Sequence, residues 1–369
     1  MTEHTFKLDT IADAVSAVGR GELVVVVDDT DRENEGDLIM AAETATPERM
    51  AFMIRHTSGI ICAPMAAERA ERLQLPPMVA NNLDPMRTAF TVSVDAKRGM
   101  TTGISAIERT NTVRALAGAG AQAGDFLRPG HVFPLIGRAG GVLTRSGHTE
   151  AAIDLATMAG LSDVAVLAEV VNDDGTVKRL DELIRFAREH GLRIVTIEDL
   201  IAARVQSESL VQRLSTEQAA IDGHAVTVHA YATKLDPWQH IAVVFGDLSG
   251  GMDVPCRIHR EQPVRELIEP GFNQIGRAFE IFRQRGRGVF IVVRNPDVAT
   301  ATPQAAVSAG TGEHHQSAEA RKTRWRDIGV GAQILRDLGV RSIAVLSAHE
   351  HNYIGLVGHG ISVTDKIAI

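Results

Sequence analysis

The fold of this chain is decided by residues 23–37, which read LVVVVDDTDRENEGD. The first five are apolar and mostly β-branched, and a short run of this kind predicts a strand that is buried on both faces. Six carboxylates follow within residues 28–37, so they lie at the end of that strand. Because sites in α/β folds form at strand ends, this order predicts an α/β domain whose acids line a site.

The acidic segment at residues 28–37 is costly unless something neutralises it, because neighbouring carboxylates repel one another and raise each other's pKa. A hard divalent cation would do so, and Mg²⁺ needs only one or two carboxylates beside water and substrate oxygens. Arg32, inside the segment, can fix a carboxylate or bind a phosphate. The alternative is a solvated acidic turn, since charge runs usually lie on the surface. The position directly after a buried strand favours a site.

Helix and strand patterns alternate on either side of this segment, which predicts a layered α/β domain. Helices are predicted at residues 11–18 (capped by Asp9 or Thr10), 47–55, 149–159, 180–190 and 198–205, and strands at 59–62, 90–94, 164–171 and 192–197. The polar stretch 206–219 has no clear period and is predicted to be a linker between domains 1–205 and 220–369. The second, smaller domain is predicted to be α+β, with strands at 225–230, 241–245, 288–293 and 343–346, a helix at 328–338 and a loop at 298–316.

A glycine-rich basic loop at residues 140–150 has the composition of a phosphate-binding site. Its glycines let backbone N–H groups approach an anion, Arg145 adds positive charge, and Ser146 and Thr149 add hydroxyl donors. A helix is predicted to begin at about Thr149, and the N-terminus of a helix attracts phosphate. His148 lies where the loop becomes helix. It is either a capping or surface residue or, with an acidic loop in the same domain, a metal ligand.

Two further residues stand out from their surroundings. His131 lies among Pro129, Gly130 and Pro134, which predicts a loop of fixed shape that could hold a base; the alternative is an exposed turn histidine. Glu169 breaks the apolar run 164–171 near its end. An acid there lies either at a site or at a solvated strand end, and the sequence leaves both interpretations equally open.

Composition limits the kinds of binding partner and the cellular compartment that are expected. A chain of 369 residues with 44% hydrophobic and 23% charged residues fits about two globular domains. The net charge of −8 argues against nucleic acid, whereas a small anionic substrate needs only a local basic pocket. Cys62 and Cys256 are the two cysteines, and they imply no disulfide framework. Neither a signal peptide nor a membrane span is recognisable, so a cytoplasmic protein without a membrane partner is predicted.

Taken together, these motifs resemble the 3,4-dihydroxy-2-butanone 4-phosphate synthase family of riboflavin biosynthesis. The resemblance covers about residues 8–204 and rests on segments 28–37, 101–106 (TTGISA), 128–135 (RPGHVFPL), 140–151, and Glu169 with 172–175 (NDDG). It implies a lyase that converts D-ribulose 5-phosphate to 3,4-dihydroxy-2-butanone 4-phosphate and formate, with Mg²⁺ as cofactor and Mn²⁺ as an alternative cation. It also implies a homodimer with the site near the subunit interface. The residues alone predict only Mg²⁺-assisted chemistry on a sugar phosphate.

The resemblance also implies roles for individual residues. Glu33 and His148 would hold Mg²⁺. The sugar would be contacted by Arg32, Glu33 and Asp37, and the phosphate and neighbouring hydroxyls by Arg145, Ser146, Gly147, His148 and Thr149. Glu169 would contact substrate and transfer protons, and His131 would be required for turnover. Glu35 and Cys62 would lie near the site in catalytic roles that are less defined.

Residues 220–369 resemble GTP cyclohydrolase II, a domain to which this synthase is often fused, through segments 257–261 (RIHRE) and 327–340. The cyclohydrolase holds Zn²⁺ with three cysteines. Here Gln262 stands in the place of the first, no cysteine follows Cys256, and 294–297 (RNPD) replaces the segment that serves the nucleotide. No zinc is therefore expected in this domain. His314 with His315, or His349 with His351, offers alternative ligands, although a polar loop is the simpler interpretation of the latter.

Three interpretations of the whole chain stay open. The leading one is a monofunctional synthase that carries a degenerate, catalytically silent cyclohydrolase-like domain. The second is a bifunctional enzyme that also opens GTP, which the missing cysteines argue against. In the third, the second domain is a regulatory or binding module.

Overall fold

The structure, a computed structural model, describes residues 8–28, 32–233, 237–261, 274–294, 328–347 and 360–369. By its internal contacts the chain divides into two units, Met1–Ala203 and Arg204–Ile369. No helix in the described ranges is long and apolar enough to cross a membrane.

The first unit is built on a mixed sheet of seven strands. They are β1 (Val24–Val27), β2 (Gly36–Ala41), β3 (Cys62–Met65), β4 (Val94–Ala96), β5 (Phe126–Ile136), β6 (Ala165–Glu169) and β7 (Arg193–Thr196). Their order across the sheet is β4-β5-β3-β6-β2-β1-β7. All four side chains of β1 are buried, because this strand lies inside the sheet and is covered on both faces.

Strand direction brings the acids together at one edge of this sheet. Strand β1 runs antiparallel to β2, and β2 runs antiparallel to β6. Asp28 follows β1, Asp37 lies at the start of β2, and Glu169 ends β6. Asp37 and Glu169 are direct register partners. The β1–β2 hairpin and the adjacent strand β6 therefore place the carboxylates of Asp28, Asp37 and Glu169 at the same end of the sheet.

Seven α-helices begin in the described part of the first unit: α1 (Ile11–Gly19), α2 (Pro47–His56), α3 (Ala67–Arg72), α4 (Ala106–Ala117), α5 (His148–Met158), α6 (Leu180–Glu189) and α7 (Ile197–Ser207). Helix α5 packs on β1, β2, β3 and β6. Its buried face is rich in alanine, which lets the helix approach the sheet closely. The N-terminus of α5 therefore lies close to the acidic edge, and His148 contacts the carbonyl of Val26 there.

The second unit contains another mixed seven-stranded sheet. Its strands are β8 (Val211–Ile221), β9 (His224–Thr233), β10 (Gln239–Phe245), β11 (Val254–Arg260), β12 (Gly288–Val293), β13 (Ser342–Ser347) and β14 (Ser362–Ala368), in the order β14-β13-β11-β12-β10-β9-β8. The described helices are α8 (Gln274–Arg285) and α9, which covers residues 328–337. The predicted fold class, mixed α/β sheets with packed helices in two parts, is confirmed.

Several element boundaries differ from the prediction. The strand predicted at 59–62 is β3, which begins only at Cys62 and continues through Pro64. The strand predicted at 90–94 is reduced to single bridges at Phe90 and Thr91, and the pairing continues as β4 from Val94. Helix α5 begins one residue before Thr149, with Gly147 at its N-cap. Thr10 caps α1 as expected, since its side chain accepts a hydrogen bond from the N–H of Asp13.

Two segments predicted without regular structure form strands. The segment around His131 belongs to β5, because flanking β3 and β4 supply the pairing that Pro129 and Pro134 obscure in the sequence. Most of the predicted linker 206–219 lies in β8, an edge strand that pairs with β9 and is exposed along nearly its whole length. An exposed strand has no buried face, so it lacks the apolar alternation that reveals a strand. The loop predicted at 298–316 lies outside the described residues, as do Gln262, His314, His315, His349 and His351.

Candidate active site

Asp28 organises the acidic loop. Its carboxylate accepts hydrogen bonds from the backbone N–H groups of Glu33, at 3.1 Å, and Glu35, at 2.9 Å. Arg179 supports the same loop from outside by donating to the carbonyls of Glu33 and Asn34. Asp28 therefore shapes the part of the loop that presents Glu33 and Glu35.

His148 meets this loop from the N-terminus of α5. Its Nε2 lies 3.2 Å from the carbonyl oxygen of Val26, and its Nδ1 lies 3.8 Å from Glu33 Oε2 and 3.9 Å from Asp37 Oδ1. Donation from Nε2 to Val26 leaves the lone pair of Nδ1 directed to the carboxylates. Burial lowers the pKa of His148, so its imidazole is held in the neutral form that a metal ligand requires.

Three residues offer ligand atoms that all lie within 4.8 Å of one another: Asp28, Glu33 and His148. Arg32 currently neutralises the two acids of this set, since its guanidinium forms ion pairs with Asp28, at 2.8 Å, and with Glu33. Asp28 was not among the predicted ligands. Its position as the first acid after the buried strand was the signal that could have identified it.

Asp37 is the most deeply buried of the described acids in this cluster. It is 2% exposed, and its Oδ1 accepts no hydrogen bond from the described residues. Burial first, and then the charges of Glu169 and Glu33, raise the pKa of Asp37 well above its ordinary value. Burial and the charge of Glu33 also raise the pKa of Glu35. A buried oxygen without a donor, beside a neutral histidine and a second carboxylate, fits a hard divalent cation.

A cavity of about 120 Å³ opens beside these acids. It is lined by Arg32, Glu33, Glu35, Asp37, Cys62, Thr88, Phe90, Leu135, Arg145, His148, Thr149, Leu167 and Glu169. Glu169 is fixed there by Ser58, whose hydroxyl donates to its carboxylate at 2.7 Å. Burial raises the pKa of the Cys62 thiol, so this residue faces the cavity as a neutral group rather than as a thiolate.

The basic side of the cavity is built at the start of α5. No side chain caps the backbone N–H groups of this helix's first turn. Arg145 lies beside them and is oriented by Glu150, which accepts from its guanidinium at 2.7 Å, and by the carbonyl of Met86. Uncapped helix N–H groups and a fixed guanidinium form an arrangement that suits a phosphate.

His131 lies apart from this cavity lining. It forms a two-point contact with Asp95, which accepts from the backbone N–H of His131 at 2.9 Å and meets its Nδ1 at 2.7 Å. Asp95 is buried, whereas the side chain of His131 is 40% exposed. The pair is thus a fixed imidazole on an accessible surface, and Asp95 was missed because a single acid in the short strand β4 carries no signal of its own.

The model of the 3,4-dihydroxy-2-butanone 4-phosphate synthase family matches residues 12–203. The chain belongs to this family. Its first unit is a 3,4-dihydroxy-2-butanone 4-phosphate synthase domain, an enzyme of the lyase class. The GTP cyclohydrolase II model matches residues 208–368, so the second unit is similar to that family.

Relatives named for riboflavin biosynthesis match nearly the whole chain. The riboflavin biosynthesis protein RibBA of Nocardia farcinica is 44% identical over 385 residues, covering 98% of this chain and 90% of that protein. The monofunctional riboflavin biosynthesis protein RIBA 2, chloroplastic, of Arabidopsis thaliana is 42% identical over 368 residues, covering 98% and 77%.

Solved structures share the fold. RibBX, a two domain 3,4-dihydroxy-2-butanone 4-phosphate synthase from A. baumannii, superimposes with a TM-score of 0.80 at 35% identity, covering 96% of this chain and 99% of that one. A 3,4-dihydroxy-2-butanone 4-phosphate synthase in complex with two magnesium ions is 50% identical, with a TM-score of 0.53, covering 54% of this chain and 98% of that one.

The structure brings together most of the residues that the sequence singled out for this synthase site. Nine of them line the cavity: Arg32, Glu33, Glu35, Asp37, Cys62, Arg145, His148, Thr149 and Glu169. Ser146 and Gly147 lie between Arg145 and His148 without lining it, and His131 is paired with Asp95 elsewhere. Thr88, Phe90, Leu135 and Leu167 complete the walls and were not predicted.

We expect Arg145→Lys to raise the KM for the sugar phosphate by about tenfold with little change in kcat, because lysine keeps the charge but loses the planar two-point contact. Steady-state kinetics measure both constants. The matched control is Arg98→Lys, on an exposed side chain. An unchanged KM in Arg145→Lys would count against a phosphate contact.

Proposed function

We propose that the first unit converts D-ribulose 5-phosphate to 3,4-dihydroxy-2-butanone 4-phosphate and formate, as a Mg²⁺-dependent step of riboflavin biosynthesis. The observation that carries the proposal is Oδ1 of Asp37, a buried carboxylate oxygen with no donor among the described residues. It lies 3.9 Å from Nδ1 of His148. The cavity that Asp37 and His148 line is also lined by Arg145 and Thr149 from the start of α5. A cation site and a phosphate site would thus share one small cavity, which suits a short sugar phosphate.

The ligand set favours Mg²⁺ held by Glu33 and His148, with Asp28 and Asp37 beside them. Carboxylate oxygens are hard donors, and a neutral imidazole accompanies them less readily on Mg²⁺ than on Mn²⁺, so Mn²⁺ is expected to substitute. When bound, the cation polarises the substrate carbonyl and offsets the negative charge that forms after proton removal. Restoring turnover to EDTA-treated protein with each metal alone tests this assignment, and restoration by neither would contradict it.

Residues in and beside the cavity bind and orient the sugar phosphate. The phosphate lies at the start of α5, where Arg145, Ser146, Gly147, His148 and Thr149 offer cationic, hydroxyl and N–H donors. The sugar hydroxyls then face the acidic loop, where Arg32, Glu33 and Asp37 line the cavity. Ribulose without its phosphate is the matched comparison substrate. If both sugars react with equal kcat/KM, the phosphate site is contradicted.

Proton transfers fall to carboxylates with different environments. Glu169 lies in the cavity with one oxygen held by Ser58, so it can accept a proton in a fixed direction. Burial raises the pKa of Glu35, so its carboxyl keeps a proton to higher pH than a free glutamate does, which suits a group that also donates protons. Cys62 contributes a neutral thiol. Full kcat in both Glu169→Gln and Glu35→Gln would contradict these roles.

The protein is proposed to act as a homodimer. His131 is required for turnover in this account, yet in one chain it lies outside the cavity lining. Exposed apolar side chains of the first unit provide a surface for a second copy; they include Ile60, Ile104, Ile107 and Leu127. In the dimer, His131 of one chain completes the cavity of the other.

Mixing two inactive variants tests this arrangement. His131→Ala and Glu33→Gln should each be inactive, whereas subunit exchange between them should restore about one quarter of wild-type activity, because half of the random dimers hold one intact site. Activity and mass in solution are measured before and after exchange. A monomer, or a mixture that stays inactive after proven exchange, would contradict the shared site.

The second unit is proposed to be silent towards GTP. Of the two cysteines, Cys256 lies in the apolar core of this unit, and burial raises the pKa of its thiol to about 12. Among the described residues it also belongs to no cluster of possible metal ligands. A bifunctional enzyme remains the rival, because the cyclohydrolase model matches this unit. Release of formate from GTP by the purified chain decides between them.

A role for the second unit as a regulatory or binding module is tested by removing it. If a chain that ends near residue 206 matches the full chain in turnover, oligomeric state and stability, a role as a regulatory or binding module has no support.

We also propose a cytoplasmic location and no nucleic-acid partner, given the net charge of −8 and two buried free cysteines. Cell fractionation tests the location.

A further inference from the structure

Five hydrogen bonds converge on the carboxylate of Glu108, near the start of α4. The backbone N–H and hydroxyl of Thr101, the N–H of Thr102, and the N–H and hydroxyl of Ser105 all donate to it, at 2.5 to 3.3 Å. One carboxylate thus holds both ends of the segment 101–105. Four residues of this segment are exposed, so hydrogen bonds rather than apolar packing give it its shape.

The buried residue of the segment, Gly103, lies against the Asp95–His131 pair. A Cβ added to Gly103 would come within 2.2 Å of Asp95 Oδ2 and 2.7 Å of His131 Nδ1. These are the two atoms that contact each other at 2.7 Å. Gly103 also has a φ of +86°, which glycine adopts without strain. No other residue can cover the pair at this distance without displacing it.

Helix α4 is itself tied to the strand that carries Asp95. The N–H of Ala96, the residue after Asp95, donates to the hydroxyl of Thr112, which donates to the carbonyl of Glu108. Glu108 therefore sets the position of the segment relative to β4, and not only its internal shape. These hydrogen bonds also hold the pKa of Glu108 well below its ordinary range, so the carboxylate stays ionised and keeps accepting at neutral pH.

We infer that Gly103 and Glu108 are positioning residues, which press the segment 101–105 onto the Asp95–His131 pair and hold His131 in its active orientation. The inference rests on the proposed function in so far as His131 is required for turnover. Neither residue lines the cavity, so both act through His131 rather than on the substrate.

Comparison of two alanine variants tests the inference. Gly103→Ala introduces the Cβ against the pair. Gly99→Ala is the matched control, because Gly99 has a similar φ of +74° but nothing within 4 Å of an added Cβ. Both variants carry the same backbone penalty, and they differ in the contact with Asp95 and His131. We expect Gly103→Ala to lower kcat about 10- to 100-fold with KM within about threefold, and Gly99→Ala to match the wild type.

The ¹⁵N resonances of the His131 ring, assigned by their loss in His131→Gln, give a readout independent of turnover. In the wild type and in Gly99→Ala, they should show that Nδ1 carries the hydrogen that is donated to Asp95. In Gly103→Ala, the chemical shift of Nδ1 should differ from that of the wild type. If the wild type does not convert ribulose 5-phosphate, the proposed function fails. The resonance measurement still tests whether Gly103 positions His131.

Equal kcat and equal His131 resonances in the two alanine variants would overturn the inference, as would a loss of kcat with unchanged resonances. If Gly103→Ala does not fold, Glu108→Gln replaces it, since glutamine keeps the size but loses the charge. Wild-type kcat and resonances in that variant would equally overturn the inference.

Discussion

Glu33→Gln should lower turnover by about 100- to 1,000-fold, because it removes a charged ligand from the site where negative charge develops. The fold should be retained, since Glu33 lies on a loop with its side chain 31% exposed, and Asp28 still closes that loop through Glu35. Formate release under saturating substrate measures the effect. Thermal unfolding with and without Mg²⁺ should show that the stabilisation by metal is lost in the variant.

Glu71→Gln is the matched control, because Glu71 is an exposed acid on α3. It should keep wild-type turnover and the wild-type response to Mg²⁺. A Glu33→Gln variant with full activity would remove Glu33 from the ligand set. Loss of activity with an unchanged Mg²⁺ response would instead place Glu33 on the substrate alone.

Asp37→Asn should have opposite effects on activity and stability. It should abolish most of the turnover, since Asp37 lines the cavity beside His148, one of the residues that would hold the cation. It should also raise the free energy of unfolding of the metal-free protein by about 1–2 kcal/mol, because a buried carboxylate oxygen without a donor is costly and adjacent acids repel it. Urea unfolding in EDTA, followed for the transition of the first unit, measures the gain.

The control for this change is Asp173→Asn, at an exposed acid in the turn after β6, which should leave stability and turnover near wild type. Addition of Mg²⁺ should narrow the stability difference between Asp37→Asn and the wild type, because the cation stabilises only the intact cluster. A destabilised Asp37→Asn in EDTA would mean that the carboxylate has a stabilising partner in the native state.

Much of the site is predictable from the sequence because its chemistry is concentrated in short segments. Strand β1 and the acids after it could be read from one buried run and one charge run, since apolar burial and charge repulsion act locally. The loop 140–150 was equally clear, because glycine, arginine and a helix start are all local features. The sequence could not show which distant segments lie side by side. The pairing of Asp37 with Glu169, for example, depends on the order of strands in the sheet.

The missed features share a physical cause, which is that neighbours in space decide them. Strand β5 contains Pro129 and Pro134 and reads as a loop, but pairing with β3 and β4 makes it a strand. Strand β8 is exposed and polar, so no periodicity marks it, and its pairing with β9 alone defines it. The role of Asp95 likewise depends on His131, which is 36 residues away.

Formate release from the purified full chain, given Mg²⁺ and either ribulose 5-phosphate or GTP with EDTA controls, tests the central claim most directly. We predict formate from ribulose 5-phosphate alone, lost in EDTA and restored by Mg²⁺. No formate from ribulose 5-phosphate would contradict the synthase assignment. Formate from GTP would contradict the silent second unit and would require metal ligands other than the three cysteines that this chain lacks.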